Sequence, residues 1–304
     1  MEYLIISLAV VCFTGQFAFT KVFEKKLASN IVNTLIMLIA TSVFGAIIFL
    51  FVNGFRAEFS LFSFILAIIF ALIMMPYYLL GVKVLSLGSL AVYSVFMMLG
   101  GMLVPFFYGI IFLEESLTIS KIIGTILLTA FIILQGVWQD KETDKTQTST
   151  SKNKKRLFFI LCLVIFFING LTGVIAKAHE IGPNPVDESS FTVLYCTLTA
   201  LFSFIALNLM ALAKRKTNKI SVRPALKLIP LFIMFLIGAT AYTGNFLHLA
   251  VAEKVPASVQ FPLVSGGVIV LSAIVSRLIF KEKISKIEWV SVVGALVSTI
   301  LFAF

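Results

Sequence analysis

The chain has 304 residues, of which 60% are hydrophobic and only 12% are charged, and its mean hydropathy is +1.08. Soluble domains carry about 25% charged residues, so this composition excludes an ordinary soluble protein and indicates a polytopic membrane protein. The formal net charge of +10 does not indicate a nucleic-acid partner, because the lysines and arginines lie between the apolar segments.

Ten apolar segments are long enough to cross a bilayer core of roughly 30 Å, which takes about 20 helical residues. They occupy residues 3–23, 31–52, 60–81, 88–113, 119–139, 157–177, 189–213, 228–250, 256–280 and 287–304. A backbone in lipid must satisfy its own hydrogen bonds, and most connections are short. We therefore expect an all-α membrane protein with ten transmembrane helices, the first of them retained as a span and not cleaved as a signal peptide.

The longest polar run divides the chain into two halves. Residues 140–156 are rich in Lys, Thr and Ser and contain no large apolar side chain, a composition that predicts a flexible linker. The linker follows a first five-helix repeat at residues 1–139 and precedes a second at residues 157–304.

The second half of the chain repeats the first. A shift of 167 positions places residues 77–134 on residues 244–301 without a gap and leaves seven positions identical, among them Glu115 with Glu282. Five spans per copy is an odd number, so the second copy enters the membrane from the other side. Inverted repeats of this kind hold a binding site near the membrane midplane, between the halves, and this is the architecture of a carrier.

Basic residues predict the orientation of the chain. Twenty of the 24 lysines and arginines lie in or beside the connections after spans one, three, five, seven and nine, which makes those connections cytoplasmic. Both termini are therefore expected outside the cytoplasmic membrane, and the 140–156 linker inside. The connection that closes each copy reads EESLT at 114–118 and KEKIS at 281–285, and this change of charge is what an inverted repeat requires.

The ends of the two halves carry a family resemblance. The first half closes with Glu115, Leu117, Thr118 and Gly124, and the second with Glu282, Ile284 and Ser285. This pattern resembles the drug/metabolite transporter (DMT) superfamily, in particular its EamA-type members with ten spans. Ser291 stands where the second glycine would fall, and the tryptophan that often precedes Lys21 in that family is missing. The resemblance implies a basket of ten helices in which the first, third, fourth, sixth, eighth and ninth line a central cavity.

Polar side chains inside the eighth span are the first candidates for a binding site, because such groups are costly in hydrocarbon and usually face protein or water. Tyr242, Asn245 and His248 recur at steps of three and occupy one helix stripe roughly 120° wide. The stripe faces a cavity or bonds to a neighbouring helix. His248 is the proton-linked candidate, since histidine titrates near neutral pH, although its place near the span's end favours a structural hydrogen bond.

The repeat supplies further candidates, because a site on the pseudo-twofold axis draws on equivalent positions of both halves. The shift of 167 pairs Tyr93 with Gln260 and Tyr78 with Asn245. A shift of 156 superposes the first and sixth spans and aligns Gln16 with Thr172 and Phe13 with Asn169. Phenol and amide groups bond neutral or zwitterionic ligands without carrying charge. The predicted substrate-binding residues are Gln16, Tyr78, Tyr93, Asn169, Tyr242, Asn245 and Gln260.

Glycines and prolines interrupt equivalent spans of the two copies. Gly100, Gly101 and Pro105 lie in the fourth span, and the ninth contains Pro262 and a Gly-Gly pair at 266–267. Alternating access needs helices that bend at such residues. Small residues also allow neighbouring helices to pack closely, so both interpretations stay open.

Enzyme motifs do not occur in the sequence. Neither histidine has the spacing of a zinc protease, and the sequence contains no nucleophile elbow and no phosphate loop with lysine. The three cysteines, Cys12, Cys162 and Cys196, lie inside apolar segments without disulfide or zinc spacing and are interpreted as small packing residues. We therefore expect a protein that is not an enzyme and that needs no cofactor and no metal.

The expected function is secondary transport. The substrate would be a small neutral, zwitterionic or amphipathic metabolite, moved across the cytoplasmic membrane by alternating access and in the direction of export. Its partners are that substrate and the membrane lipids, with no nucleic acid, and monomer and homodimer are equally open. The absence of Asp or Glu near the centre of any span disfavours a proton-driven exporter of organic cations.

Two alternatives remain open at this point. The same fold would carry choline or another quaternary ammonium compound if tyrosines and phenylalanines hold the cation through their ring faces. A different class of function is a lipid flippase component or a membrane scaffold.

Overall fold

The structure, a computed structural model, describes residues 2–27, 30–112, 118–120, 122–127, 130–131, 149–214, 225, 227–251 and 257–302. Within these ranges it does not describe the side chains of residues 149–152, 180, 213–214, 248–250, 257–262, 299 and 302.

Helices make up nearly all of the described ranges, and no strand occurs in them. Nine long helices lie in these described ranges, namely α1 (Glu2–Leu27), α2 (Ile31–Val52), α3 (Leu61–Leu87), α4 (Leu90–Phe112), α5 (Ser149–Glu180), α6 (Glu188–Lys214), α7 (Leu228–Ala250), α8 (Ala257–Leu278) and α9 (Lys286–Phe302). The predicted all-α class is thus confirmed for the described part of the chain.

Nine of the predicted spans overlap these helices, and the second and eighth have the predicted bounds. Of the predicted fifth span, residues 119–120, 122–127 and 130–131 are helical, and residues 132–139 lie outside the described ranges. The helix α5 begins at Ser149, so that residues 149–156, predicted as the end of the linker, are helical. Lysine and arginine, which are frequent there, are good helix formers. Residues 140–148 of the linker lie outside the described ranges.

Among the residues that the structure describes, seven helical segments are long and apolar enough to cross a membrane. They are Glu2–Leu27, Ile31–Val52, Leu61–Leu87, Leu90–Phe112, Asn153–His179, Glu188–Leu212 and Leu228–Leu247, and a shorter apolar helix occupies Leu263–Leu278. A chain with this many apolar helices, each near the length that spans a bilayer, is a multi-pass membrane protein.

The chain divides into two compact units that do not follow the two sequence halves. Unit 1 comprises Met1–Ala18, Leu87–Val174 and Thr243–Phe304, and unit 2 comprises Phe19–Ser86 and Ile175–Tyr242. Each unit therefore draws helices from both halves of the sequence.

Unit 1 is built around α4, α8 and α9. The helix α4 packs on α8, and α9 packs on both. The side that α4 buries is lined by large apolar residues, among them Leu90, Phe96 and Leu99, which are fully buried. Burial of this kind holds helices together by close van der Waals contact, since lipid is as apolar as the side chains themselves.

Unit 2 is built around α2 and α6, which pack along their lengths. The helix α2 starts at an Asn30 cap, whose side-chain oxygen accepts the Val32 amide at 3.0 Å, as N-cap asparagines commonly do. One of the cores of unit 2 gathers apolar side chains from several helices around Met37, Met234 and Ile237. Another core of unit 2, formed by Phe49, Cys196, Tyr242 and their neighbours, holds the aromatic residues described below.

Candidate functional site

In unit 1, α4 and α5 cross at glycines. A Cβ on Gly100 would lie 2.1 Å from the carbonyl oxygen of Phe166, and a Cβ on Gly173 would lie 2.6 Å from Cγ of Pro105. Both glycines are therefore required by the close approach of the two helices. Of the two interpretations given to Gly100 from sequence, close packing is the one these distances support.

The crossing brings Asn169 onto the backbone of α4. Its Nδ2 donates a hydrogen bond to the carbonyl oxygen of Met97 at 2.7 Å, and Gly101 provides the room, since a Cβ there would lie 2.6 Å from the same nitrogen. An amide offers two donors and an acceptor, and only one donor is used on a described residue. The side chain is half-buried, so the remaining groups of Asn169 are suited to bind a polar ligand.

Tyr93 lies one helical turn before Met97 on α4 and is 4% exposed. Its ring packs edge-on against Phe17 of α1, with ring centroids 5.7 Å apart and an interplanar angle of 79°. Gln16, the neighbour of Phe17, is half-buried. Tyr93 and Asn169 thus lie at adjoining turns of α4, Gln16 comes from the α1 turn that contacts Tyr93 through Phe17, and none of the three side chains carries charge.

The glutamate that closes the ninth span binds the start of α4. Oε2 of Glu282 accepts the backbone N–H of Leu90 at 3.1 Å, and the hydroxyl of Ser276 donates to the same oxygen. A carboxylate at a helix N-terminus satisfies an amide that has no partner within the helix and complements the helix dipole. The motif residue Glu282 therefore ties α8 to α4. Its repeat equivalent, Glu115, lies outside the described residues.

In unit 2, a second polar cluster surrounds Cys196 of α6. The Cys196 thiol donates to the Tyr242 hydroxyl at 3.0 Å. Tyr195 bonds to Cys196 and to Thr192, and Tyr78 lies close enough to interact electrostatically with Cys196, Tyr195 and Tyr242. We call Tyr78, Tyr195, Tyr242 and Cys196 the tyrosine cluster.

The ring of Tyr242 is held in place by α2. A Cβ on Gly45 would lie 2.2 Å from Cζ of Tyr242, so glycine is needed there to admit the ring. Phe49 packs edge-on against the same ring, with centroids 6.1 Å apart. A side chain at position 45 would displace the ring, and with it the hydroxyl that accepts the Cys196 thiol.

The predicted ligands fall into both units. Tyr78 and Tyr242 belong to unit 2, and Gln16, Tyr93, Asn169, Asn245 and Gln260 belong to unit 1. Asn245 is exposed, whereas Tyr242 on the same predicted stripe is buried. The side chains of His248 and Gln260 lie outside the described residues.

Tyr195 and Cys196 were not among the sequence-based candidates. The sequence feature that could have identified them is a Tyr-Cys pair in the middle of an apolar span. This pair was not supported by an equivalent polar residue in the other repeat, as Tyr93 was by Gln260, and cysteine in such a span is usually a small packing residue. No three His, Cys, Asp or Glu side chains converge as a metal site among the residues whose side chains are described.

Comparison with known proteins gives a fold and no activity. No protein-family profile matches the chain, and no curated protein sequence matches it. A solved structure described only as "Crystal structure of protein" is 15% identical, covers 99% of this chain and 98% of its own, and superposes with a TM-score of 0.58. Similarity at this level of identity indicates a shared overall fold alone.

Proposed function

We propose that the protein is a secondary carrier of the EamA type within the drug/metabolite transporter superfamily, with ten helices in two inverted five-helix repeats. The observation that carries the proposal is the pairing of corresponding spans. The second span, α2, packs on the seventh, α6, and the fourth, α4, packs on the ninth, α8. Each pair joins spans that a five-span repeat makes equivalent, and two copies related by a pseudo-twofold axis produce such pairs.

The proposed substrate is a small neutral, zwitterionic or amphipathic metabolite. The polar groups that support this choice in unit 1 are the phenol of Tyr93 and the amides of Gln16 and Asn169, which bond ligands without bringing a charge into the membrane. The proposed mechanism is alternating access in the direction of export, which is the direction that the family resemblance implies.

The proposed location is the cytoplasmic membrane, with both termini outside and the 140–156 linker in the cytoplasm. The support is the distribution of lysine and arginine, which crowd the connections after odd-numbered spans and are retained on the cytoplasmic side.

Exchange in proteoliposomes tests the proposal. The purified protein should exchange labelled neutral amino acids or nucleobases, and Asn169→Ala should slow the exchange by roughly three- to tenfold, the effect of one lost hydrogen bond. Asn208→Ala is the matched control, because Asn208 is exposed and its amide bonds to Phe204 of its own helix at 2.8 Å. Unchanged exchange by Asn169→Ala would remove that residue from the site. If these substrates neither exchange nor raise the melting temperature, and polyprenyl-phosphate lipids do raise it, the lipid-associated alternative replaces the carrier.

The tyrosine cluster favours a second candidate substrate, choline or another quaternary ammonium compound. Three phenol rings near one another in unit 2 are the kind of surface that binds a cation without a carboxylate. Choline should then raise the melting temperature of the wild-type protein, and Tyr242→Ala should abolish the shift. A shift that persists in Tyr242→Ala places choline elsewhere, and no shift in the wild type removes this candidate.

A further inference from the structure

Unit 1 carries an apolar groove along α9. The groove has a volume of about 390 Å³ and lies between α9 and the helical residues 122–127 and 130–131. Its walls are apolar and include Leu127, Phe131, Trp289, Val293, Gly294 and Val297. Ligand pockets in proteins have volumes of roughly 300–1,000 Å³, so the groove has room for a segment of a hydrocarbon chain.

Two contacts between α9 and its neighbour set the walls of the groove. The hydroxyl of Ser120 donates a hydrogen bond to the carbonyl oxygen of Leu301, near the end of α9. Nearer the middle of α9, a Cβ on Gly294 would overlap the ring of Phe131, so glycine lets that ring lie against the helix backbone. The shape of the groove is therefore fixed by packing within unit 1.

The groove opens towards the bilayer. Glu282, four residues before α9, binds the start of α4, so both helices begin at the same side of the membrane, and α4 is long and apolar enough to cross it. The side that α9 buries includes Val292 and Ala295, whereas Val293 and Val297 are about half exposed. Exposed apolar side chains beside a membrane-crossing helix contact lipid tails, so acyl chains cover the open side of the groove.

One end of the groove is basic. Trp289 lies at this end, in the first turn of α9, and tryptophan is enriched where a membrane protein meets the lipid headgroups. Lys281, Lys283 and Lys286 come just before it in the chain and are exposed. Positive charge therefore stands at the level of the headgroups, where an acyl chain enters the groove.

The two carboxylates of the same stretch are bound to backbone amides. Oε2 of Glu282 accepts the amide of Leu90 at 3.1 Å, and Oε2 of Glu288 accepts the amide of Ser285 at 2.6 Å. Oγ of Ser285 in return accepts the amide of Glu288 at 3.2 Å, which is the reciprocal cap of a helix start. The carboxylates thus serve the starts of α4 and α9, and three lysines against two carboxylates leave residues 281–288 with an excess of positive charge.

We propose that this groove binds an anionic phospholipid, with an acyl chain along Val293 and Val297 and the phosphate group beside Lys283 and Lys286. The apolar walls bind the chain, and the lysines attract a negatively charged headgroup. A second copy of the protein is a poorer occupant, because copies inserted in the same sense would place their lysines side by side. The inference rests on the position of α9 in the membrane and stands whether or not the protein transports the proposed substrates.

Tryptophan fluorescence tests the proposal at the groove itself. The chain contains two tryptophans, at positions 138 and 289, so Trp138→Phe leaves Trp289 as the sole reporter, and bromine on an acyl chain quenches a tryptophan that it contacts. Brominated phosphatidylglycerol, as a minor component of phosphatidylcholine bilayers, should associate with the groove more than roughly tenfold better than brominated phosphatidylcholine, since each lysine near a headgroup contributes about fivefold. Equal association of the two lipids overturns the proposal.

Two variants in the Trp138→Phe background test the two parts of the site. Lys286→Gln should lower the preference for phosphatidylglycerol roughly fivefold, whereas Lys83→Gln, at an exposed lysine of α3, should leave it unchanged. Val293→Phe fills the groove and should weaken the quenching, whereas Val11→Phe should not; Val293 and Val11 are 55% and 56% exposed. A preference that survives Lys286→Gln, or full quenching in Val293→Phe, contradicts the proposal.

Two further measurements separate the lipid from other occupants. Inorganic phosphate should displace phosphatidylglycerol no better than chloride at the same ionic strength, and stronger displacement by phosphate would show that the lysines bind a free oxyanion instead of a lipid. Val293→Cys, in a protein without the three native cysteines, should form no disulfide-linked dimer under oxidation in bilayers. A dimer linked through position 293 would make the groove an interface between copies and overturn the proposal.

Discussion

Replacing Gly100 with alanine is the sharpest perturbation of unit 1. The added Cβ would lie 2.1 Å from the carbonyl oxygen of Phe166 and 2.7 Å from its Cα. Backbone atoms cannot turn aside as a side chain does, so α4 and α5 must separate by roughly 1 Å to restore van der Waals distance. Overpacking of this kind costs about 1–3 kcal/mol, and alanine returns at most about 1 kcal/mol through its better helix propensity. With a rigid neighbour the upper end of the cost applies, and the expected net loss is about 2 kcal/mol.

Gly238→Ala is the matched control, because Gly238 also lies inside a membrane-crossing helix. A Cβ there would lie 3.4 Å from Cβ of Phe44 and from Cα of Thr41, which is ordinary contact. The control therefore keeps the gain in helix propensity without the clash, and its stability should be equal to or up to about 1 kcal/mol above that of the wild type.

Thermal unfolding in detergent, followed with a thiol-reactive dye, measures both variants. Cys162 and Cys196 are fully buried and react only when the protein unfolds, and Cys12→Ser removes the partly exposed thiol from all samples. At about 2–4 °C for each kcal/mol, the value for domains of 150–250 residues, Gly100→Ala should melt roughly 4–8 °C below the wild type. If both glycine variants melt together with the wild type, the α4–α5 crossing is not as close as the distances state.

Two further substitutions test contacts within single units by the same assay. Glu282→Ala removes the carboxylate that binds the start of α4 and should lower the free energy of unfolding by about 0.5–2 kcal/mol, as the loss of a helix cap does. The control Glu58→Ala, at an exposed residue, should leave the stability unchanged. Equal melting temperatures of the two variants would show that the bond contributes no stability. Tyr242→Phe removes the hydroxyl that accepts the Cys196 thiol and should lower the free energy of unfolding by about 0.5–1.5 kcal/mol. The control Tyr3→Phe, at a residue that is 65% exposed, should leave the stability unchanged. An unchanged melting temperature of Tyr242→Phe would rule out a stabilising bond between Cys196 and Tyr242.

Most of the helices could be predicted from the sequence because apolar runs of the right length leave a chain in lipid few other structures. The second span even has its predicted bounds of 31–52, since Asn30 caps its start and the turn at Gly54, with φ of +59°, follows its end. The start of α5 was predicted too late, at residue 157, because hydropathy marks where a helix enters lipid and not where its hydrogen bonds begin. Lysines and arginine, which are good helix formers, extend the helix back to Ser149.

The candidate site could be predicted only in part. Asn169 was selected by its place in the repeat, but its bond to Met97 depends on a crossing between α4 and α5 that no spacing in the sequence specifies. The tyrosine cluster was half predicted. Tyr242 was selected by the polar stripe of its span and Tyr78 by its place in the repeat, whereas Tyr195 and Cys196 join them only through contacts of α6 with other helices, such as the bond from Cys196 to Tyr242 of α7. Side chains that meet across helices are set by tertiary contacts, and a single sequence records these weakly.

The contact between His179 and Ser63 makes the same point, since Nε2 of His179 lies 2.9 Å from Oγ of Ser63. The two residues lie 116 positions apart, and each is unremarkable in its own span end. Their meeting requires the start of α3 and the end of α5 to lie at one end of unit 2. The proton-linked candidate predicted from the sequence was His248, whose side chain lies outside the described residues.

The most direct test of the inverted repeat compares the membrane side of two corresponding connections. Single cysteines at Ala57, between the second and third spans, and at Asn218, between the seventh and eighth, are introduced into a protein that lacks the three native cysteines. An impermeant thiol reagent applied to intact cells should label the cysteine at position 57 and leave position 218 unlabelled until the cells are opened. Labelling of both positions from the same side would mean that the two halves cross the membrane in the same sense, and would contradict the proposed architecture.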